Sequence, residues 1–198
     1  MPIDLDDPIA LMLAATEALR VSSIEVVAYG GLVLAMYGEP RETRDADLAV
    51  ATLDIEAARH ALAEAGLNTI VAFAAVRFGG NELTRLSVLG GGQFNTIDFV
   101  RPRSARYASG VLDRALVGSL RATELHTVSP EDFILLKVLS TRERDLDDAR
   151  SVVAALADRL DGTVLSEEGR KLAEELPDHD VISRLSSVSP PGGFVKTR

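Results

Sequence analysis

The chain has 198 residues, 46% of them hydrophobic, and 21 basic against 30 acidic side chains give a formal charge of −9. It has no cysteine and only three scattered histidines (His60, His126, His179), which excludes disulfides, thiolate metal sites and a zinc centre built on a histidine cluster. No apolar run reaches the roughly 18 residues of a membrane span and Met1 to Asp7 is acidic, so a soluble, cytoplasmic protein with no membrane partner is expected.

Asp7-Pro8, followed by Ile9, Leu11, Met12, Leu13, Ala15 and Leu19, has the cap, the early proline and the apolar spacing of an amphipathic helix. Ile24 to Tyr29 reads as a short strand that stops at Gly30-Gly31, and Leu32 to Tyr37 as a short buried helix ending at Gly38. After the turn at Glu39-Pro40, Asp45 to Val50 alternates as a strand that shows Asp45 and Asp47 on one face. Asp54 caps a helix from Ile55 to Ala65, closed by Gly66. Three strands follow, at about 68–78, 82–89 and 95–100, separated by Gly79-Gly80 and Gly90-Gly91-Gly92; the alanines of the first also fit a helix.

From Ser129 the character changes. Ser129-Pro130-Glu131-Asp132 is an N-terminal cap with acids in the first turn, and the apolar run Phe133 to Leu139 follows. A charged break, Thr141 to Arg144, leads into a second helix through Leu160, with Gly162 beyond it. Further helices are expected over Ser166 to Leu176 and Asp180 to Leu185, and the tail from Ser189 to Gly193 is expected to fray. The sum is a mixed α/β half followed by a helical half.

Asp45 and Asp47 lie two apart on a strand, a spacing that can hold a pair of divalent ions, and a third acid from a neighbouring strand completes the oxygen set that Mg²⁺ prefers. Taken singly, either acid of the pair also fits a solvated surface. Asp98 is the candidate third, because it interrupts the apolar run Ile97-Phe99-Val100, where an unpaired buried carboxylate is costly. Gly30-Gly31 opens a helix after a strand, so its backbone N–H groups could receive phosphates, although a glycine turn alone is often only a connection. Lys137 has apolar neighbours on both sides, so its ammonium either reaches a cleft and a phosphate or snorkels to an exposed face. Asp145 and Asp148 can pair with Lys137 across a helix hairpin, or with Arg142 and Arg144 at the surface.

Charge is uneven along the chain: net −5 over residues 1–39, zero over 40–125 and −4 over 126–198. A pI near 4.9 argues against bulk adhesion to nucleic acid. Arg41 and Arg44 before the acid pair, with Arg101, Arg103 and Arg106 after Asp98, could still form a basic rim for a phosphate backbone, or merely balance nearby acids.

The order strand, Gly30-Gly31, helix, thirteen residues, Asp45-Ala46-Asp47, and a later strand carrying an acid resembles the DNA polymerase β-like nucleotidyltransferase superfamily. Tyr29-Gly30-Gly31 with Arg41 to Asp47, Ser129 to Asp132, Lys137 and Arg144 to Asp148 is similar, more narrowly, to the AbiEii and MenT group of nucleotidyltransferase toxins. The likeness covers roughly residues 24–160. It implies an α+β protein, a minimal nucleotidyltransferase fold of mixed sheet and flanking helices with a C-terminal helical bundle. The expected division is a core over 1–125, a helical part over 126–188 and a flexible tail over 189–198.

The resemblance further implies a two-ion Mg²⁺ site on Asp45 and Asp47, to which Asp98 is added on the strength of its strand context. Nucleotide contacts are expected from Gly30, Gly31, Thr43, Arg44 and Lys137, and catalytic roles for Asp45, Asp47, Asp98, Lys137 and Asp148. The donor implied is an NTP, by preference CTP, the acceptor the 3′ end of the tRNA acceptor stem, and the effect a block of aminoacylation. A cognate antitoxin, either a binding protein or a kinase, is then expected as partner, and phosphate on Thr43 would repel the triphosphate. The alternatives are transfer to an antibiotic or protein hydroxyl, and a non-catalytic member that binds a nucleotide or a partner.

Overall fold

In the computed structural model, which describes residues 3–92 and 95–194, the chain runs α1 (Pro8–Val21), β1 (Val27–Tyr29), α2 (Gly30–Tyr37), β2 (Asp45–Ala49), α3 (Ile55–Glu64), β3 (Thr69–Phe78), β4 (Asn81–Val88), β5 (Asn95–Pro102), α4 (Ala105–Asp113), β6 (Leu116–Leu120), β7 (Thr123–Thr127), α5 (Pro130–Val138), α6 (Glu143–Leu156), α7 (Gly162–Glu175) and α8 (Val181–Val188). The fold is mixed α+β. Seven strands make one sheet in the order β3-β4-β5-β2-β1-β7-β6. Its centre combines both pairings: β2 is antiparallel to β1 and parallel to β5, while β1 is parallel to β7.

β5 is buried along almost its whole length, which suits its near-continuous apolar sequence and its place inside the sheet. That position forces Asp98 inside as well. α5 is buried on every side from Asp132 to Leu139, and a helix that is apolar all round belongs in a core. Ser129 caps it by accepting from the Asp132 N–H at 3.1 Å. α6 crosses α5 after a short charged turn, and α7 and α8 close over the pair.

The segment Thr69–Phe78, read as a strand whose alanines also fit a helix, is a strand, β3. Other elements depart from the reading of the sequence. α6 ends at Leu156 instead of Leu160, because Ala157 takes φ +37° and a short 3₁₀ turn follows over Ala157–Arg159. α7 begins at Gly162, since the Asp161 carboxylate accepts from the N–H groups of Thr163 and Val164 and makes the glycine a start, not a stop. Residues 105–127 hold α4 and the β6–β7 hairpin, elements that the sequence reading did not place. In the tail, Phe194 packs against the core, and residues 195–198 lie outside the described residues. Among the described residues no helix is long and apolar enough to cross a membrane.

Candidate active site

The site begins where β1 ends. Gly30 turns the chain into α2 with φ +73°, a conformation that favours glycine, and an ideal Cβ there would stand 1.9 Å from the Asp47 Oδ2. Glycine is therefore what lets the Asp47 carboxylate lie against the turn. Gly31 packs against the Thr43 side chain, and its N–H donates to Asp47. Both glycines are buried and shape the floor beneath Asp47.

Sheet register aligns the acids. Tyr29 on β1 is opposite Asp47 on β2, Asp47 is beside Asp98 on β5, and Asp98 is opposite Arg85 on β4. One row across four strands thus reads Tyr29, Asp47, Asp98, Arg85. Asp45, two residues before Asp47 and on the same face, accepts from the Thr96 hydroxyl at 2.8 Å. Removal from water pushes the Asp47 carboxyl up to about 7, reinforced by Asp98 and Asp45 and opposed by Lys137 and the Gly31 N–H. Among the described residues no cation forms an ion pair with Asp47.

Asp98 is 3% exposed and is held differently. The Arg85 guanidinium donates to both of its oxygens, at 2.7 and 2.6 Å, and lies 3.6 Å from Asp45. Burial still raises the Asp98 carboxyl above its ordinary value, outweighing the Arg85 contact that lowers it. The three carboxylates expected to share metal line one cleft, with Asp98 the one held by a guanidinium. Among the described residues no three His, Asp or Glu side chains form a metal-binding group.

Lys137 reaches the site from α5, and both acids of the α6 run answer its charge. Its Nζ donates to Asp145 Oδ1 at 2.7 Å and lies 2.9 Å from Asp148 Oδ2, above the rings of Tyr29 and Phe133. Ser140 donates to the other oxygen of Asp145, and Arg41 forks onto Asp148 with two bonds of 3.0 Å. Burial raises the Asp148 carboxyl, but the Arg41 and Lys137 contacts more than reverse this and hold it below its ordinary value. The helix-hairpin pairing is the one present. The same bonds tie the loop before β2 to α6.

The chemistry-bearing groups line a cleft of about 150 Å³ that includes Thr43, Asp45, Asp47, Asp98, Lys137 and Asp145. A larger cavity of about 700 Å³ lies elsewhere, between α1 and β7, and contains none of them. Arg44 is exposed and 3.5 Å from Glu42, outside the cleft lining, whereas Arg41, Arg142 and Arg144 stand in the cleft wall. Neither Arg142 nor Arg144 makes an ion pair among the described residues; Arg142 lies over the Phe78 ring at 5.1 Å.

The rest of the expected basic rim is committed elsewhere. Arg101 pairs with Glu82, Arg103 with Asp178, and Arg106 with Glu168 and Glu175. The sequence reading missed Arg85, Thr96 and Ser140. Only Arg85 left a signal, a charge inside an alternating strand, and nothing local pointed it toward Asp98.

A profile of the family described as "Nucleotidyl transferase of unknown function" (DUF2204) matches residues 10–187. No curated protein matches the chain. Among solved structures, an antigenic nucleotidyltransferase-like protein from Paracoccidioides brasiliensis is similar at 18% identity and a TM-score of 0.54, over 100% of this chain and 97% of that one. The antibiotic-resistance factor ANT(2'')-Ia is similar at 12% identity and a TM-score of 0.52, over 84% of this chain and 94% of that one. At these identities the likeness shows a shared fold.

Proposed function

The chain belongs to the DUF2204 family of nucleotidyl transferases, and from that premise we propose that it is a toxin that moves a nucleoside monophosphate from CTP to the 3′ acceptor end of tRNA and so blocks aminoacylation. The observation that carries the transfer chemistry is Asp47, a recessed carboxylate that no side-chain cation pairs among the described residues, beside Asp45 on the same strand face. Their oxygens suit a hard divalent cation, and a positive charge there would relieve the cost of removing Asp47 from water. Asp45 and Asp47 would hold Mg²⁺, which when bound polarises the triphosphate and lowers the pKa of the attacking hydroxyl.

In the reaction the acceptor hydroxyl gives up its proton to solvent, its oxygen bonds to the α-phosphorus, the bond to the bridging oxygen of the β-phosphate breaks, and pyrophosphate leaves. Arg142 and Arg144, in the cleft wall and without an ion pair among the described residues, supply charge for the departing phosphates or for the RNA backbone. Lys137 adds to the field at Asp47 while its ammonium stays on Asp145 and Asp148. Asp98, with both oxygens on Arg85, is not free to take the proton of the acceptor.

The resemblance to the AbiEii and MenT toxins supports the choice of tRNA and CTP, and a cognate antitoxin, a binding protein or a kinase, belongs to the same reading. The fold shared with ANT(2'')-Ia and the net charge of −9 favour a second reading, transfer to the hydroxyl of an antibiotic. The test incubates the protein with Mg²⁺, each labelled NTP in turn and total tRNA, beside an Asp47→Ala control. Label from CTP on tRNA, absent in the control, is the expected result. Pyrophosphate without labelled RNA transfers the assignment to a small-molecule or protein acceptor, and silence in both readouts from folded protein leaves a binding module.

A further inference from the structure

The register that lines up the acids also brings a fixed positive charge among them. Arg85 stands one strand away from Asp98, which stands one strand away from Asp47, so guanidinium and carboxylates share one row and one face of the sheet. The fork geometry on Asp98 is that of a strong, directional ion pair, and the Phe73 ring lies 5.7 Å from the guanidinium carbon on β3. One Asp45 oxygen is taken by Thr96 and the other faces Arg85 at 3.6 Å. Of the other cations lining the cleft, Lys137 is answered by Asp145 and Asp148 and Arg41 by Asp148, while Arg142 and Arg144 make no ion pair among the described residues and add to the positive charge there.

We propose that Arg85 is a built-in cation that takes the place of one of the two divalent ions, so that the carboxylates of this site hold a single ion on Asp45 and Asp47. Three carboxylates carry three negative charges, of which the guanidinium cancels one and a single dication the other two. A second dication would share Asp98 with a guanidinium and meet its repulsion with no negative charge left to offset it. The inference rests on the reading that Asp45 and Asp47 are the metal ligands, and it corrects the two-ion site implied by the resemblance.

The test counts Mn²⁺ bound per chain, without nucleotide, from the loss of the free-ion signal in electron paramagnetic resonance. The wild type is expected to bind one ion, Arg85→Met two, Arg85→Lys one and Asp47→Asn none. Asp98→Asn is expected to keep one ion with affinity changed less than threefold, because Asp98 belongs to Arg85. Two ions in the wild type, or one in folded Arg85→Met, overturn the inference and leave the metal assignment standing. No ion in the wild type overturns both. Should Arg85→Met fail to fold, Asp98→Asn decides: loss of the ion, or a tenfold or greater fall in affinity, makes Asp98 a ligand and removes the stand-in role.

Discussion

A lysine surrounded by apolar side chains is tolerated only where its charge is answered, and Lys137, 4% exposed, is answered twice. Breaking a buried ion pair by removing one partner costs about 3–5 kcal/mol. Lys137→Met is expected near the lower end, because Asp145 keeps Ser140 and Asp148 keeps Arg41. Urea denaturation followed by circular dichroism measures the loss, and adding Asp145→Asn should restore part of it. A double variant no more stable than the single one would show that the pair is not what stabilises this lysine. Gly30 bears on function more than on stability. Alanine at φ +73° costs roughly 1 kcal/mol of backbone strain, but its Cβ would also displace the Asp47 carboxylate. Pyrophosphate release by Gly30→Ala should fall at least roughly a hundredfold, as for an ångström-scale misplacement of a reacting group. Activity that falls no more than the folded fraction would separate Gly30 from the site.

Between elements, α4 and α7 are joined by Arg106, which pairs with Glu168 and Glu175, while Ser104 also donates to Glu175. For both glutamates burial opposes ionisation, but Arg106, with Lys171 at Glu168 and Ser104 at Glu175, prevails and lowers the carboxyl below its ordinary value. A carboxylate whose folded pKa lies below its unfolded one contributes stability above the unfolded value, about 4.3 for Glu, and loses it as pH falls through the folded value. Because Arg106 is 42% exposed, the contribution is modest, about 0.5–1 kcal/mol. Arg106→Gln should therefore be less stable than wild type at neutral pH, with the gap closing below about pH 4. A gap that persists in acid would assign the effect to packing of the arginine stem. Here the limits of the sequence are also plain. α1, α3 and α5 were legible because Asp7, Asp54 and Ser129 each cap an apolar stretch. The β6–β7 hairpin was not, since its turn places Arg121 and Ala122 at φ +48° and +61° without the glycine or asparagine that announces such turns. At the site the residues Asp45, Asp47, Asp98 and Lys137 could be picked out by type and context. The pairing of Lys137 with Asp145 and Asp148 was one of two alternatives that the sequence left open, and the pairing of Arg85 with Asp98 was not legible at all, because sheet register set by tertiary packing brings them together.

At the scale of the whole molecule, the sheet is left with two open edges, β3 and β6. β3 is the more exposed hazard: ten residues, nearly all apolar, paired only with β4, with Ile70 50% and Val76 42% accessible. Such an edge templates pairing with other chains unless something blunts it. Two features do so here. The register shifts between Val71 and Val76, with Ala75 at φ +49°, bend the strand away from a flat template. The net charge of −9 keeps copies apart, but only while it is unscreened. The balance predicts that light scattering rises as salt is increased from about 50 to about 500 mM, where the screening length falls to a few ångströms. Ile70→Lys with Val76→Lys should suppress that rise and leave pyrophosphate release unchanged. Both substitutions make the net charge less negative and so weaken the general repulsion, which means any gain in solubility must come from the edge itself. Wild-type protein that stays monodisperse at high salt would assign the protection to the bend in β3, and the lysines would then bring no improvement.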